Sequence, residues 1–204
     1  MLAYLQSYIP ALKSIIPQTS PTAEPIPEIG STAPALPGIS LGGTPTLVAF
    51  VRHCGCPFAE KEVKLLSEEL KKDGRLRVII VQHAEEEQVE SWFNEIGGPK
   101  LFPDGSRYTL LPDPSRETYA QWGIGQLPWL GMISPSVINN MNDLKKADNI
   151  DLRPTGVGSY RWQNSGGFAV DEEGILRWRK IAQDSSDICD YSEATKSVTQ
   201  RSRK

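Results

Sequence analysis

One junction constrains the fold of this 204-residue chain more than any other feature. An apolar, β-rich run over residues 46–51 ends at Arg-His-Cys-Gly-Cys, and Pro57 then opens a charged stretch with helical spacing. The pattern predicts a buried strand that delivers a cysteine to the first turn of a helix. A helix N-terminus carries unpaired N–H groups and partial positive charge, which favour an anion there. Because the thiolate is the reactive form of cysteine, the junction predicts that Cys56 is reactive.

The remaining hydrophobic patterns alternate between those of strands and those of helices. Strands are predicted at residues 46–51, 76–81, 107–111, 167–170 and 175–179. Helices are predicted at residues 59–72, 85–96 and 115–122. Because one helix separates the first two strands, we expect these strands to be parallel neighbours, whereas the last two form a hairpin. The order predicts an α/β fold, a three-layer sandwich with a mixed central sheet.

The chain divides into a central domain and two extensions. Residues 1–28 contain five prolines among serines and threonines, which predicts a short helix over 2–16 followed by an extended linker. Residues 29–190 carry the strand and helix patterns, and residues 191–204 are a C-terminal tail that forms a final helix or frays. Residues 126–157 lack a strand period and are interpreted as an insertion at one end of the sheet, a lid over the thiol.

Composition narrows the classes of partner. The net charge is −3 and basic residues do not cluster, so neither nucleic acid nor a membrane is expected as a partner. The first 17 residues hold one lysine and no arginine, which predicts neither a secretory signal nor a mitochondrial presequence. The three cysteines are a poor disulfide framework and are typical of a reducing compartment, so a cytoplasmic location is expected.

Cys56 is the predicted nucleophile, because it directly precedes the first turn of the helix. Helix N-termini and neighbouring cations lower the pKa of a thiol, and Arg52 and His53 are the residues predicted to supply that charge. The alternative is that Cys56 is an inert core cysteine, which is common for this residue type.

The other two cysteines have open roles. A disulfide between Cys54 and Cys56 would depart from the preferred Cα separation of roughly 4.4–6.8 Å and would be strained. Three roles are open for Cys54: a resolving thiol, the nucleophile itself or a packing residue. Cys189 lies far along the chain and is a candidate resolving thiol if the tail folds over the site or across a dimer. Its acidic neighbours disfavour a thiolate, which favours a packing role instead.

Two further sets of side chains are candidates for the site. His53, Cys54, Cys56 and His83 suggest metal ligation, but the Cys-x-Cys spacing differs from that of structural zinc sites, so neither a metal nor a cofactor is expected. His83 ends the second strand and is either a structural histidine or a proton shuttle. Aromatic side chains that line a substrate pocket, if the insertion covers the thiol, are predicted at Phe58, Trp129 and Trp162.

Four segments, taken in order, resemble those of a known family. They are the Gly and Ala-Pro of residues 27–36, the Arg, Cys and Pro of residues 50–58, the Asp-Pro, Arg and Tyr of residues 111–123, and the Gln-x-x-Gly-Gly of residues 162–171. Over about residues 27–190 they resemble the AhpC/TSA family, in its peroxiredoxin-like branch. The resemblance implies a thioredoxin-like fold with peroxiredoxin-like elaborations and a redox-active cysteine at position 56.

The chain departs from the typical motif of that family at two places. Typical members carry Pro-x-x-x-Thr-x-x-Cys, and here Ala49 and His53 stand at the Pro and Thr places. The arginine that polarises the peroxide in typical members falls near Ser165, so Arg52 or Arg161 is expected to substitute for it.

The resemblance implies a thiol-dependent antioxidant oxidoreductase that reduces peroxides or disulfides, with an external thiol as reductant. One alternative is another enzyme on the same scaffold, acting on an organic substrate in specialised biosynthesis, because fold does not fix function. A second is a non-catalytic binding module. A homodimer formed through the N-terminal helix is also expected.

Overall fold

A computed structural model describes residues 13–16, 18–155 and 158–200, and its centre is a five-stranded sheet. The strands are β1 (Thr46–Phe50), β2 (Arg77–Gln82), β3 (Tyr108–Pro112), β4 (Gly166–Val170) and β5 (Leu176–Ile181). Their order is β3-β2-β1-β4-β5. The predicted helix over 2–16 lies almost wholly outside the described residues.

The sheet is mixed, as the sequence predicts. β1 pairs with β2 and β2 with β3 in parallel, whereas β4 is antiparallel to both β1 and β5. The hairpin turn between β4 and β5 places Gly174 at a φ of +78°, and its amide donates to the Asp171 carbonyl over 3.1 Å. β1 is therefore the central strand, and its carboxyl end leads directly into the cysteine junction.

The three predicted helices are present, the final helix expected as one alternative for the tail forms, and the described residues contain further helices. They are α1 (Pro57–Lys72), α2 (Glu86–Glu95), α3 (Gly98–Leu101), α4 (Glu117–Gln121), α5 (Trp129–Met132), α6 (Pro135–Asp148) and α7 (Tyr191–Thr199). α2 ends at Glu95, and Gly97 then turns the chain at a φ of +82°, after which α3 begins at once. No helix in the described part of the chain is long and apolar enough to cross a membrane.

Alternation along the strands divides the core into two layers. One face of the sheet, with Leu47 and Ala49, packs against α1, α2 and α7. The other face, with Val48 and Phe50, packs against Tyr119 of α4 and its neighbours. Successive side chains of a strand point to opposite faces, so β1 is buried on both sides, as a central strand of an α/β sandwich must be.

Both extensions lie against the domain in their described parts. Residues 18–28 form neither helix nor strand, and they are held in place: the Glu24 amide donates to the Ala120 carbonyl over 2.9 Å. The predicted tail after residue 190 begins with α7 rather than with frayed chain. Asp190 caps α7 by accepting from the Ser192 amide, and Ala194 and Val198 are buried against the sheet face that carries α1.

Candidate functional site

Cys56 lies at the junction of β1 and α1, where the sequence predicts it. Its backbone is extended, with φ −74° and ψ 124°, and its carbonyl accepts the first helical hydrogen bond, from Glu60 over 3.2 Å. Pro57 occupies the first helical position, which suits it because that position needs no N–H. Among the described residues the Cys56 side chain accepts no capping hydrogen bond from the helix. Stabilisation of a thiolate therefore depends on the other groups around the sulfur.

An apolar pocket of about 250 Å³ opens beside Cys56. Cys56 itself is only 5% exposed, but it lines this pocket. The apolar lining residues are Ile15, Pro57, Phe58, Met132, Ile133, Val137, Ile138, Met141 and Leu152. The polar ones are Arg52, His53, Arg161 and Ser185. Helices α5 and α6 supply one wall, so the described part of the predicted insertion over 126–157 does lie beside the thiol.

Arg52 is a buried side chain of this pocket. Its Nη1 group donates to the Gln163 carbonyl over 3.2 Å, and its Nη2 group donates to the Arg161 carbonyl over 2.7 Å. Its Nε is buried, and among the described residues it has no hydrogen-bond partner. A guanidinium that is bound only by neutral carbonyls keeps its full positive charge for an anion in the pocket.

Arg161 is the second cation of the pocket. Two hydroxyls anchor it, Ser14 Oγ at 3.1 Å from Nε and Thr155 Oγ1 at 2.6 Å from Nη2. Burial lowers the pKa of Arg161, the charge on Cys56 opposes that effect, and Arg52 adds to it. Arg161 therefore interacts electrostatically with both Cys56 and Arg52. Of the two arginines expected to replace the family's arginine, the structure brings both to the pocket.

His53 also lines the pocket, but as a neutral imidazole. Burial, followed by the charge of Arg52, holds the pKa of His53 well below its usual value. Its Nδ1 lies 2.9 Å from the Cys54 carbonyl, which can only accept, so we assign the proton to Nδ1 and an acceptor lone pair to Nε2. His53 is therefore a hydrogen-bonding group of the pocket and not the cation that the sequence predicts.

His83 is placed behind the pocket rather than in it. Its Nε2 lies 3.0 Å from the Tyr160 carbonyl, and its ring packs edge-on against Tyr119. Burial, and then the charge of Arg52, lowers the pKa of His83 to about 3. These contacts agree with a structural histidine.

Cys54 lies two residues before Cys56 but in a different environment. Its side chain is 1% exposed, its Sγ is 3.9 Å from the Gln88 carbonyl, and it does not line the pocket. Burial raises the pKa of Cys54 to about 12. Of the three open roles, these contacts favour the packing residue.

Cys189 is buried on the face of the sheet that packs against α1, α2 and α7. Its Sγ packs so closely on β4 that a Cβ added at Gly167 would lie 2.9 Å from it. Burial, and then the charge of Glu62, raises the pKa of Cys189 well above its usual value. Glu62 is buried too, and desolvation raises its pKa to about 7 even though Tyr191 and Cys189 hydrogen-bond to it. This environment favours a packing role for Cys189.

The predicted aromatic residues divide. Phe58 lines the pocket, whereas Trp129 and Trp162 lie beside it and pack edge-on at a centroid distance of 4.4 Å. Trp162 donates from Nε1 to the carbonyl of Ile15 over 2.9 Å, which places the Ile15 side chain in the wall. Trp129 is 69% exposed and extends an apolar surface outward from the pocket mouth.

Sequence reasoning missed two parts of the site. Ser185 is not among the predicted site residues, yet it lines the pocket, and its amide donates to the Gly131 carbonyl over 2.7 Å. Gly55 has a φ of +94°, and an added Cβ would lie 2.7 Å from the Pro154 carbonyl oxygen. A Cys-Gly-Cys sequence is the signal that suggests a special backbone conformation there. Over residues 13–16, 18–155 and 158–200, no three His, Cys, Asp or Glu side chains cluster to hold a metal ion.

Comparison with solved structures identifies the fold. A peroxiredoxin-like protein from Aquifex aeolicus aligns with a TM-score of 0.56 and 13% identity, over 87% of this chain and 90% of that one. A thiol peroxidase from Chromobacterium violaceum aligns with a TM-score of 0.56 and 12% identity, over 93% of this chain and 96% of that one. A yeast mitochondrial 1-Cys peroxiredoxin aligns with a TM-score of 0.51 and 15% identity, over 84% of this chain and 74% of that one. The thiol of that protein is resolved via glutathione/thioredoxin systems.

Comparisons at the level of sequence add nothing to this result. No protein-family model matches the chain, and no curated protein matches it. At 12–15% identity, the structural likeness establishes the fold alone. The chain therefore has the thioredoxin-like α/β fold of peroxiredoxin-like proteins, with a cysteine at the end of its central strand.

Proposed function

We propose that this protein is a thiol-dependent peroxidase of the peroxiredoxin-like AhpC/TSA kind, which reduces organic hydroperoxides through Cys56. The observation that carries the proposal is the position of Cys56 at the start of α1, in a pocket that also holds Arg52 and Arg161. Two cationic side chains in the pocket that Cys56 lines can stabilise the negative charge that develops on the peroxide oxygens.

The lining of the pocket favours an organic hydroperoxide over hydrogen peroxide. Most of the wall is aliphatic or aromatic, and a cavity of about 150 Å³ already admits benzene. The pocket beside Cys56 is larger, at about 250 Å³. An aliphatic or aromatic group of the substrate gains free energy by displacing water from such a wall, whereas hydrogen peroxide has no such group.

The proposed reaction is a displacement at oxygen. Cys56 Sγ, as a thiolate, attacks the distal oxygen of R–O–OH. An S–O bond forms, the O–O bond breaks, and the leaving alkoxide takes a proton to become R–OH. The sulfur is oxidised by two electrons to a sulfenic acid, and the peroxide is reduced by two. In this proposal His53, which lines the pocket and whose Nε2 is assigned as an acceptor, accepts a hydrogen bond from the hydroperoxide O–H.

An external thiol completes the proposed cycle. The sulfenic acid condenses with one thiol to give a mixed disulfide and water, and a second thiol then releases Cys56 and a disulfide. The burial of Cys54 and Cys189 supports an external reductant, because neither sulfur lines the pocket. The cytoplasmic location and the homodimer remain predictions of the sequence.

The pocket also bears on the two alternatives. A fully buried Cys56 with no adjacent pocket would support a non-catalytic binding module. The pocket beside Cys56 disfavours that alternative. A non-peroxidase enzyme acting on an organic substrate is distinguished by chemistry: its substrate is converted without a sulfenic acid on Cys56.

Stopped-flow kinetics with cumene hydroperoxide test the proposal. Wild-type protein is expected to consume it faster than free cysteine does at the same pH, and faster than it consumes hydrogen peroxide. Cys56→Ser is expected to abolish the reaction, whereas the matched variants Cys54→Ser and Cys189→Ser retain it. A wild-type rate no faster than that of free cysteine rules out the peroxidase.

A further inference from the structure

We propose that the substrate carries a carboxylate in addition to its hydroperoxide, and that Arg52 and Arg161, which line the pocket with Cys56, bind this carboxylate. This inference rests on the proposed function and deepens it, because it names the class of substrate: an apolar organic acid hydroperoxide.

The pocket holds more positive charge than the thiolate needs. Two guanidinium groups line it, and among the described residues neither forms an ion pair with a carboxylate. A thiolate on Cys56 balances one of these charges and leaves one unpaired. Burying an unpaired charge is costly, so a site with this arrangement is suited to a second anion.

The ionisable groups around the pocket do not remove this excess. His53 and His83 are neutral, because burial and Arg52 lower the pKa of each. Glu60 is paired with Lys64 at 2.8 Å and with Arg153 at 2.9 Å, so its charge is already balanced. Glu62 interacts with Arg52, but it does not line the pocket, and desolvation favours its neutral form. None of these groups therefore balances the second positive charge of the pocket.

Unused hydrogen-bond donors point to the same ligand. A guanidinium has five N–H groups, and Arg52 donates only two hydrogen bonds, both to backbone carbonyls. Its Nε is buried, and no described residue accepts from it. Arg161 is likewise anchored by two neutral hydroxyls, through Nε and Nη2. A carboxylate accepts from several such donors at once, whereas a hydroperoxide offers fewer acceptors and no charge.

The rest of the pocket fits the apolar part of the same molecule. Apart from the few polar residues, the wall consists of residues such as Phe58, Val137, Met141 and Leu152. The pocket thus combines two arginines with a mostly apolar lining. An aromatic or short aliphatic acid has the matching distribution of charge, and a volume of about 250 Å³ admits a single substituted ring.

A matched pair of substrates tests the proposal in wild-type protein. Cumene hydroperoxide is compared with the same compound bearing a para-carboxylate, in low salt and in 0.5 M salt. The acid is expected to react about tenfold faster at low salt, which corresponds to one additional charge-assisted contact of ~1.4 kcal/mol. The advantage is expected to shrink in high salt. Equal rates, or a slower acid, overturn the proposal while leaving the peroxidase intact.

Binding of unreactive analogues separates the two proposals. In Cys56→Ser protein, 4-isopropylbenzoate and its neutral counterpart 4-isopropylbenzamide are titrated by calorimetry. The benzoate is expected to bind about tenfold more tightly. This result supports the carboxylate site even if no peroxidase activity is found. Equal affinities, or no binding of either compound, overturn it.

A pair of arginine variants completes the test. Arg161→Gln, combined with Cys56→Ser, is expected to remove the preference for benzoate over benzamide. Arg75 is the control, because it is an exposed arginine that pairs with Asp73 away from the pocket. Arg75→Gln is expected to keep the preference. A preference that survives Arg161→Gln contradicts the assigned site, and so does one that is lost in both variants.

Discussion

The Nη2 group of Arg52 donates a hydrogen bond to the backbone carbonyl of Arg161 over 2.7 Å. One buried cation therefore holds the backbone that carries the other. Arg52 follows β1, and Arg161 comes from the segment that leads into β4, so the bond joins the two neighbouring central strands just beyond their paired region. Both guanidinium groups reach the same pocket as Cys56.

Arg52→Lys keeps the charge but removes the planar fork, so the carbonyls of Gln163 and Arg161 lose their shared donor. We expect the free energy of unfolding to fall by about 1–3 kcal/mol, the cost of unsatisfied buried groups. Arg161 is then less well held, and the reaction of Cys56 with cumene hydroperoxide is expected to slow. Urea denaturation and stopped-flow rates measure the two effects.

The matched control for that substitution is Arg75→Lys on the surface. It is expected to change the free energy of unfolding by no more than about 0.5 kcal/mol. An Arg52→Lys protein with wild-type stability and wild-type rate contradicts the role given to the fork.

Glu62 makes stability depend on pH. Burial raises its pKa from 4.5 to about 7, so between these two pH values the folded state keeps a proton that the unfolded state has lost. Its contribution to stability is therefore complete below about pH 4.5 and is lost as the pH rises towards 7, by at most ~3 kcal/mol. Glu62→Gln has no such proton and is expected to gain stability relative to wild type over this range.

Urea denaturation of wild type and Glu62→Gln at several pH values measures that difference. Because both proteins contain the same buried histidines, the difference isolates the contribution of Glu62. Glu68→Gln, on the exposed face of the same helix, is the control and should follow the wild-type profile. A Glu62→Gln difference that stays constant with pH shows that Glu62 is ionised alike in both states.

Met141 lies in the wall that α6 contributes and is partly exposed, so a larger side chain can enter the pocket there without filling the core. Met141→Trp is expected to lower the rate of reaction with cumene hydroperoxide about tenfold, which is typical for steric exclusion from an apolar pocket. The rate with hydrogen peroxide is expected to stay unchanged. Met141→Leu conserves volume and should react like wild type with both. Equal slowing of both peroxides by Trp indicates a general disturbance instead.

Gly55 connects the two cysteines of the junction at a φ of +94°, where an added Cβ would meet the Arg153 carbonyl oxygen at 2.8 Å. Gly55→Ala is expected to cost about 1–3 kcal/mol of stability because of backbone strain and this contact. Gly74, at the end of α1, is the control, since a Cβ there meets nothing within 4 Å. Thermal or urea unfolding measures the effect. If Gly55→Ala is as stable as wild type, the expected backbone strain at residue 55 is contradicted.

The sequence was most informative where structure is local. The apolar run of β1, the helical spacing of α1 and the turn at Gly174 each depend on neighbouring residues, and each element forms close to its predicted position. The reactive position is local as well, because a strand, a cysteine and Pro57 follow one another directly.

What the sequence could not show depends on contacts between distant residues. Arg161 enters the pocket because Ser14 and Thr155 anchor it, and Ser185 enters because its segment bonds to Gly131. His53 is neutral because tertiary packing buries it next to Arg52, although its position suggests a cation. Periodicity carries no information about such contacts.

The most direct test of the central claim is to map the oxidised sulfur. Reduced wild-type protein is treated with one equivalent of cumene hydroperoxide in the presence of dimedone, which traps sulfenic acids, and is then digested and examined by mass spectrometry. We predict a dimedone adduct on Cys56 and unmodified Cys54 and Cys189. An adduct on either of the other two cysteines, or none at all, contradicts the account.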